Sequence, residues 1–313
     1  MKKTAFLFPG QGSQYVGMGL DLYQKYDYVK KSFDMAEDIT GIKLSDLCFT
    51  GPVKDLTETI NLQPAITLVN LACLLVLQSK GFHPDISAGH SLGEYSALYA
   101  AGIISQEDTI KLVFKRGRLM HREACKNQGA MSAIIGLGID DVVDIVNKAQ
   151  EYGIISVANH NSEKQIVITG EPEPVKKAGL LASEQKGKAI PLKVSGAWHS
   201  QLIKGAEQEF MEFMDTISFN APESGVIHNV CADFVKEPGD IKAVMVKQLC
   251  SPVRWYDSVN KMMDEKIEIF VELGPGKVLS GLLKKIIPKD FPCKIFNVSD
   301  IKSLENFCKQ AAS

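Results

Sequence analysis

Apolar and polar residues alternate along this chain in two textures. In the first, short apolar runs are separated by long segments whose apolar residues recur every three or four positions. Phe6-Leu7-Phe8 reads as a buried strand that stops at Pro9-Gly10. Helices are expected over about residues 20–37 and 52–60. Asn61-Leu62-Gln63-Pro64 then supplies a polar cap and an early proline for an apolar helix over 65–78. A short strand over 86–88 leads into a helix over 94–101, which Gly102 ends, and an amphipathic helix follows over about 106–123. From Ala130 the texture changes: strand 130–137, helix 140–150, strands 154–158 and 165–169, helix 174–186, strand 189–194. That βαββαβ order is the split pattern of a ferredoxin-like unit. The longer texture then returns, with helices over 207–216, 241–249, 255–264 and 278–287 and strands over 226–230 and 269–273.

The expected fold is therefore α/β: a large domain with a parallel sheet, residues 1–126 and 195–313, carrying a ferredoxin-like small subdomain, residues 127–194. Its active site belongs in the cleft between them. At 313 residues and 45% hydrophobic composition the chain can bury a substantial core. A formal charge of -2, with lysines and acids interspersed, leaves no basic stripe for nucleic acid. Seven scattered cysteines without a Cys-x-x-Cys pair read as reduced thiols of a cytoplasmic protein rather than a disulfide frame or zinc site. The apolar stretch after Met1-Lys2-Lys3 is too short for a signal sequence. The longest apolar run, 66–77, is interrupted by Asn70 and falls short of the ~20 residues a bilayer demands, so it reads as a buried helix.

Candidate chemistry centres on Gly89-His90-Ser91-Leu92-Gly93, between a strand and a helix. A turn that sharp leaves no room for side chains two residues either side of its apex, so glycines there let Ser91 project. The Leu92 amide then opens a helix, where free N–H groups favour developing negative charge. Gly-x-Ser-x-Gly alone arises by chance in about one chain of this length in ten. Its strand-to-helix setting favours a nucleophile over a tight turn with a capping serine. Two other glycine turns lack phosphate fingerprints: Gly10-x-Gly12 would need glycine at Tyr15, and Gly276-Lys277 would need it at Val271. The loop at Gln11 is either a plain tight turn or a second oxyanion donor. Arg116, Arg118 and Arg122 cannot all share one helical face, although Arg116 and Met120 do, and nothing local singles out Arg116 from a solvated position. Among six histidines, His90 should point away from its neighbour Ser91. His83 lies in a turn, His121 in a helix, His160 in a loop and His228 in a strand. His199 follows the last strand of the insert, where the chain crosses back. It is the best-placed base, its alternative being a ring packed against Trp198.

These segments together resemble the malonyl-CoA:acyl carrier protein transacylases, within the acyltransferase family of fatty-acid and polyketide synthesis. The likeness covers nearly the whole length and rests on Phe8-Pro-Gly-Gln-Gly-Ser-Gln14, Gly89-His-Ser-Leu-Gly-Glu-Tyr-Ser96, Arg116-Gly117, Gly129-Ala-Met131, His199-Ser200 and Glu272-Leu-Gly-Pro-Gly-Lys-Val278. It implies a hydrolase-like α/β domain with a ferredoxin-like insert. By position, it implies that Ser91 is the nucleophile, His199 the general base and acid, and Arg116 the partner of the malonyl carboxylate. Gln11 and Leu92 match the oxyanion amides and Gln248 the residue whose carbonyl orients the histidine. Gln63 and Met120 match further pocket positions. The aromatic Trp198 beside the base resembles a malonyl-sized pocket. The resemblance further implies a cytoplasmic monomer with no bound cofactor, taking malonyl-CoA as substrate and acyl carrier protein as partner, with no nucleic acid or membrane. Alternatives are a free-standing acyltransferase of a polyketide synthase, a serine esterase, and an inactive acyl-binding scaffold. A buried Arg116 speaks against the esterase, and intact Ser91 and His199 against the scaffold.

Overall fold

A computed structural model describes residues 2–311. The chain opens with β1 (Thr4–Phe8) and five helices, α1 (Leu20–Lys25), α2 (Asp27–Thr40), α3 (Leu44–Phe49), α4 (Val53–Leu56) and α5 (Thr59–Gln78). β2 (Ile86–Gly89), α6 (Gly93–Ala100) and α7 (Gln106–Lys126) follow. Next come β3 (Ala130–Ile135), α8 (Ile139–Ala149), β4 (Ile155–Ser162), β5 (Gln165–Gly170), α9 (Pro172–Glu184) and β6 (Lys188–Pro191). The rest is α10 (Glu207–Asp215), β7 (Gly225–Ile227), α11 (Pro238–Lys247), α12 (Trp255–Asp264), β8 (Ile269–Leu273), α13 (Val278–Ile286), β9 (Lys294–Val298) and α14 (Ile301–Ala311).

The large sheet is parallel throughout, in the order β7-β2-β1-β8-β9. Its central strand is apolar on both faces because helices cover both. Phe6 and Phe8 enter one layer of the core with α5 and α7, while Ala5 and Leu7 enter the other with α12 and α13. The carboxyl ends of β1 and β2 therefore lie side by side. The loop after β1 carries Gln11, and the turn after β2 carries Ser91. In open parallel sheets that edge is where ligands bind.

The second sheet is antiparallel, in the order β4-β5-β3-β6, and with α8 and α9 it forms the ferredoxin-like unit. Side chains alternate between its faces. Ile134, Ile166 and Ile168 pack under α8 and α9, whereas Met131, Ala133 and Val167 join the core of the large domain. Strand β4 is joined to the large domain through Val253, whose N–H donates to Ala158 O (2.8 Å) and whose carbonyl accepts from His160 N (2.9 Å).

Several elements depart from the periodicity reading. The helix expected over 20–37 breaks at Tyr26, which is extended (φ -121°, ψ 116°), folding α1 back so that Tyr23 packs on Phe33 and Phe49. Over 52–60 the expected helix is split between α4 and the start of α5, and α3 precedes them. Helix α5 starts at Thr59, so Pro64 lies more than a turn inside, and Asn61, expected as its cap, donates instead to Asp55 O (3.0 Å). At 20 residues α5 is long and apolar enough to cross a bilayer, contrary to the estimate from its uninterrupted run. Its most apolar window, however, is 83% buried against protein, as befits a core helix. His160 lies in β4 rather than a loop, and His228 just past β7 rather than within it. Strand β9 and helix α14 lie beyond the last element that the periodicity reading assigns.

Candidate active site

Glycine makes the elbow possible. A Cβ on Gly89 would come within 1.9 Å of the Gly93 carbonyl carbon, and one on Gly93 within 1.9 Å of Phe8 O. Strand β2, helix α6 and strand β1 thus meet backbone to backbone. Ser91 takes φ 50°, a left-handed conformation uncommon for a residue with a Cβ. Two side-chain amides hold it there. Asn229 Oδ1 accepts the Ser91 N–H (2.7 Å) while its Nδ2 donates to Gly89 O (2.7 Å), and Gln248 Nε2 donates to Ser91 O (2.9 Å).

Ser91 Oγ and His199 Nε2 are 2.7 Å apart. His199 also has positive φ, 60°, and its Nδ1 lies 3.0 Å from the carbonyls of both Gln248 and Ser251. Two acceptors at Nδ1 require that nitrogen to carry the proton, which leaves Nε2 bare to accept from Ser91. Burial, and then the nearby Arg116 cation, pushes the His199 pKa down to about 3, so the resting imidazole is a neutral base.

Helix α7 sends Arg116 inward at 1% exposure, while Arg118 on another face is exposed. Its Nη1 donates to Gln63 Oε1 (3.0 Å), and its Nη2 to Ser91 Oγ (3.1 Å) and Gln248 Oε1 (3.2 Å). All three acceptors are neutral. Among the described residues, no carboxylate lies within ion-pair distance, and Nε has no partner. The guanidinium also stands 5.6 Å from the Tyr95 ring centroid. Gly117 permits this helix contact, since a Cβ there would come within 3.0 Å of Thr59 O.

These groups face a cavity of about 110 Å³ bounded by Gln11, Leu92, Arg116, Met120, Trp198 and His199, with Met131 and Asn159 from the small sheet. Among the described residues, no protein carbonyl engages the amides of Gln11 or Leu92. The loop before Gln11 is pressed against the elbow, with a Gly10 Cβ position 2.5 Å from His90 O. Gln63 lies behind Arg116, not on the cavity wall, and its Nε2 reaches Met120 Sδ (3.2 Å). Trp198 takes the space Gly196 leaves, where a Cβ would meet the indole at 2.8 Å. The His90 ring turns from Ser91 to Asn161 Oδ1 (2.8 Å) on β4.

The acyl transferase domain model matches residues 5–303. The chain belongs to the acyl transferase domain family. This acyltransferase is 44% identical to the malonyl CoA-acyl carrier protein transacylase of Bacillus subtilis (strain 168), over 97% of the chain and 96% of that protein. It is 40% identical to that of Escherichia coli (strain K12), over 92% and 94%. Among solved structures, an acyl carrier protein S-malonyltransferase from Vibrio cholerae matches with a TM-score of 0.92 at 41% identity, over 97% and 99%. A malonyl-transacylase in complex with a type II PKS acyl-carrier protein matches at 0.94 and 36% identity, over 98% and 99%.

Around the acyltransferase site the structure adds residues that sequence reasoning did not single out: Asn229, which spans the elbow; Ser251, the second acceptor at His199; and Glu94, which receives Gln248 Nε2 at 2.6 Å. Glu94 had a signal, being an acid three residues past Ser91 in the first turn of α6. Asn229 and Ser251 come from distant loops and had none.

Proposed function

We propose that this acyltransferase moves the malonyl group of malonyl-CoA to the phosphopantetheine thiol of acyl carrier protein, through an ester on Ser91, in fatty-acid biosynthesis. The observation that carries this reading is Arg116: a buried cation without a carboxylate of its own, 3.1 Å from the Ser91 hydroxyl. Leaving a charge in that state is costly, and a malonyl carboxylate would satisfy it with two parallel hydrogen bonds. A neutral acyl chain, the substrate of an esterase, would leave it bare. The names of the bacterial relatives support malonyl as the group and the carrier protein as acceptor.

In this reading His199 Nε2 takes the Oγ proton as Ser91 attacks the thioester carbonyl. The amides of Gln11 and Leu92 receive the oxyanion. Collapse breaks the carbon–sulfur bond, and His199 returns the proton to the departing coenzyme A thiolate. The carrier thiol then runs the same steps in reverse on the ester. Gln248 and Ser251 hold the imidazole through neutral carbonyls, so a Ser-His pair works without a third acid. Trp198, Met120 and Met131 limit the acyl group to about malonyl size. The same reading makes the protein a cytoplasmic monomer with no resident cofactor, its site lying between residues 127–194 and the rest of the chain.

Intact-protein mass spectrometry with malonyl-CoA and no acceptor tests this directly. One malonyl mass should appear on Ser91, disappear on adding carrier protein, and be absent in Ser91→Ala. A Ser91→Ala variant that turned over at the parent rate would end the reading.

A further inference from the structure

Behind the reacting groups lies a carboxylate that none of these steps uses. Glu94 sits in the first turn of α6, fully buried. A carboxylate in that position is expensive unless donors surround it. Three do: Gln248 Nε2 (2.6 Å), His228 Nδ1 (2.9 Å) and the Asn229 N–H (3.3 Å).

Two of these donors lead straight back to the chemistry. Gln248 touches the nucleophile through Ser91 O, the base through its own carbonyl at His199 Nδ1, and the arginine through Oε1 at Arg116 Nη2. Asn229 holds the other side of the Ser91 peptide. An amide in neutral surroundings can turn over at little cost. Here a turned Gln248 would aim its NH2 at a guanidinium and its oxygen at a carboxylate, so the charges at its two ends fix its direction.

We propose that Glu94 is a positioning residue for malonyl transfer, fixing Gln248 and Asn229 so that Ser91, His199 and Arg116 stay aligned. The proposal rests on the reading in which those three residues carry the reaction. The carboxylate missing from the Ser-His pair is thus present one residue further back, acting on Gln248 rather than on the imidazole. Its charge also supports a cationic Arg116, which burial opposes.

The test uses the full-length chain and two substrates: malonyl-CoA with carrier protein, and p-nitrophenyl acetate, whose hydrolysis needs Ser91 and His199 but no carboxylate clamp. Glu94→Gln keeps the shape but sets a donor against donors. It should lower kcat about 10- to 100-fold on both substrates, as expected for a misplaced catalytic group, and change KM for malonyl-CoA by less than it changes kcat, because Arg116 keeps its bond to Gln63. Gln248→Leu should do likewise, and the double variant should fall no more than about twofold below the worse single one, since both act through one amide. Parent-like kcat in Glu94→Gln, or losses that multiply in the double variant, would overturn the proposal. If Glu94→Gln does not fold by circular dichroism, Gln248→Leu decides alone, and unchanged kcat there overturns it. A parent enzyme that hydrolyses the ester but is not acylated by malonyl-CoA would sink the malonyl reading and leave Glu94 still measurable on the ester.

Discussion

Arg116 and His199 sit on either side of one hydroxyl, and each sets what the other can do. The cation lowers the proton affinity of the imidazole, in addition to the larger effect of burial, and holds its pKa near 3. In the proposed reading the malonyl carboxylate compensates the cation, so binding malonyl-CoA would raise the basicity of His199 at the step that requires a base. An acetyl group brings no such compensation. Arg116→Ala should therefore lower kcat/KM for malonyl-CoA about 100-fold, as for loss of charge-assisted hydrogen bonds worth ~3 kcal/mol, and leave acetyl-CoA unchanged or improved. Equal losses on the two substrates would make the arginine a structural residue. The pH profile gives a second readout. In the parent the acid limb of kcat/KM should lie well below the ordinary histidine value of about 6.5. In Arg116→Ala it should move up, because the second-largest of the depressing causes is gone. For stability the sign is fixed by the lowered folded pKa: the unfolded chain binds a proton that folded His199 refuses. This contribution is complete above about pH 6.5 and lost as pH falls toward 3.

The elbow, α5 and α7 decide where those side chains point, and they differ in how plainly the sequence announces them. The elbow is local: two glycines, one serine, a strand before and a helix after, so its geometry could be read from five residues. Gly93→Ala should accordingly be severe, since its Cβ would meet backbone, the Phe8 and Pro9 carbonyls, rather than a side chain that could move, and the expected outcome is loss of soluble protein or a fall in Tm of several degrees. Gly281→Ala in α13 is the contrast. No atom lies within 4 Å of its Cβ position, and exchanging glycine for alanine there should stabilise by ~0.5–1 kcal/mol, measured by urea denaturation. Arg116 was not legible in the same way. Helical spacing separates the faces of α7 but cannot say which face meets α5, and that depends on Gly117 fitting against Thr59 O. Glutamine at 248 and asparagine at 229 reach Ser91 from more than 130 residues away in sequence, where no periodicity connects them. Helix α3 and the break at Tyr26 are not legible because short elements give too few turns for a period to show, whereas the 11-residue α14 does carry a helical period.

At the scale of the molecule the site is completed only where the two sheets meet. The large domain supplies Ser91, His199 and Arg116, while the small sheet supplies Asn159 and Met131 to the cavity wall and Asn161 to the His90 ring. A pair of backbone hydrogen bonds at Val253, to Ala158 and His160, fixes β4 in that position. In the proposed reading, hydrolysis of a small activated ester would need only Ser91, His199 and the amides beside them, whereas an acyl-CoA would lie across the join. Val253→Pro removes the donor to Ala158 O and leaves that carbonyl short of a partner, at a cost of ~1–3 kcal/mol. The expected result is a raised KM for malonyl-CoA and a lower Tm, with p-nitrophenyl acetate hydrolysis within about twofold of the parent. Hydrogen exchange should locate the effect, with the His160 amide losing protection while β1 and β2 keep theirs. If ester hydrolysis fell as far as malonyl transfer and the His160 amide stayed protected, the join would be ordinary core packing and the small sheet would contribute nothing separate to the binding of acyl-CoA.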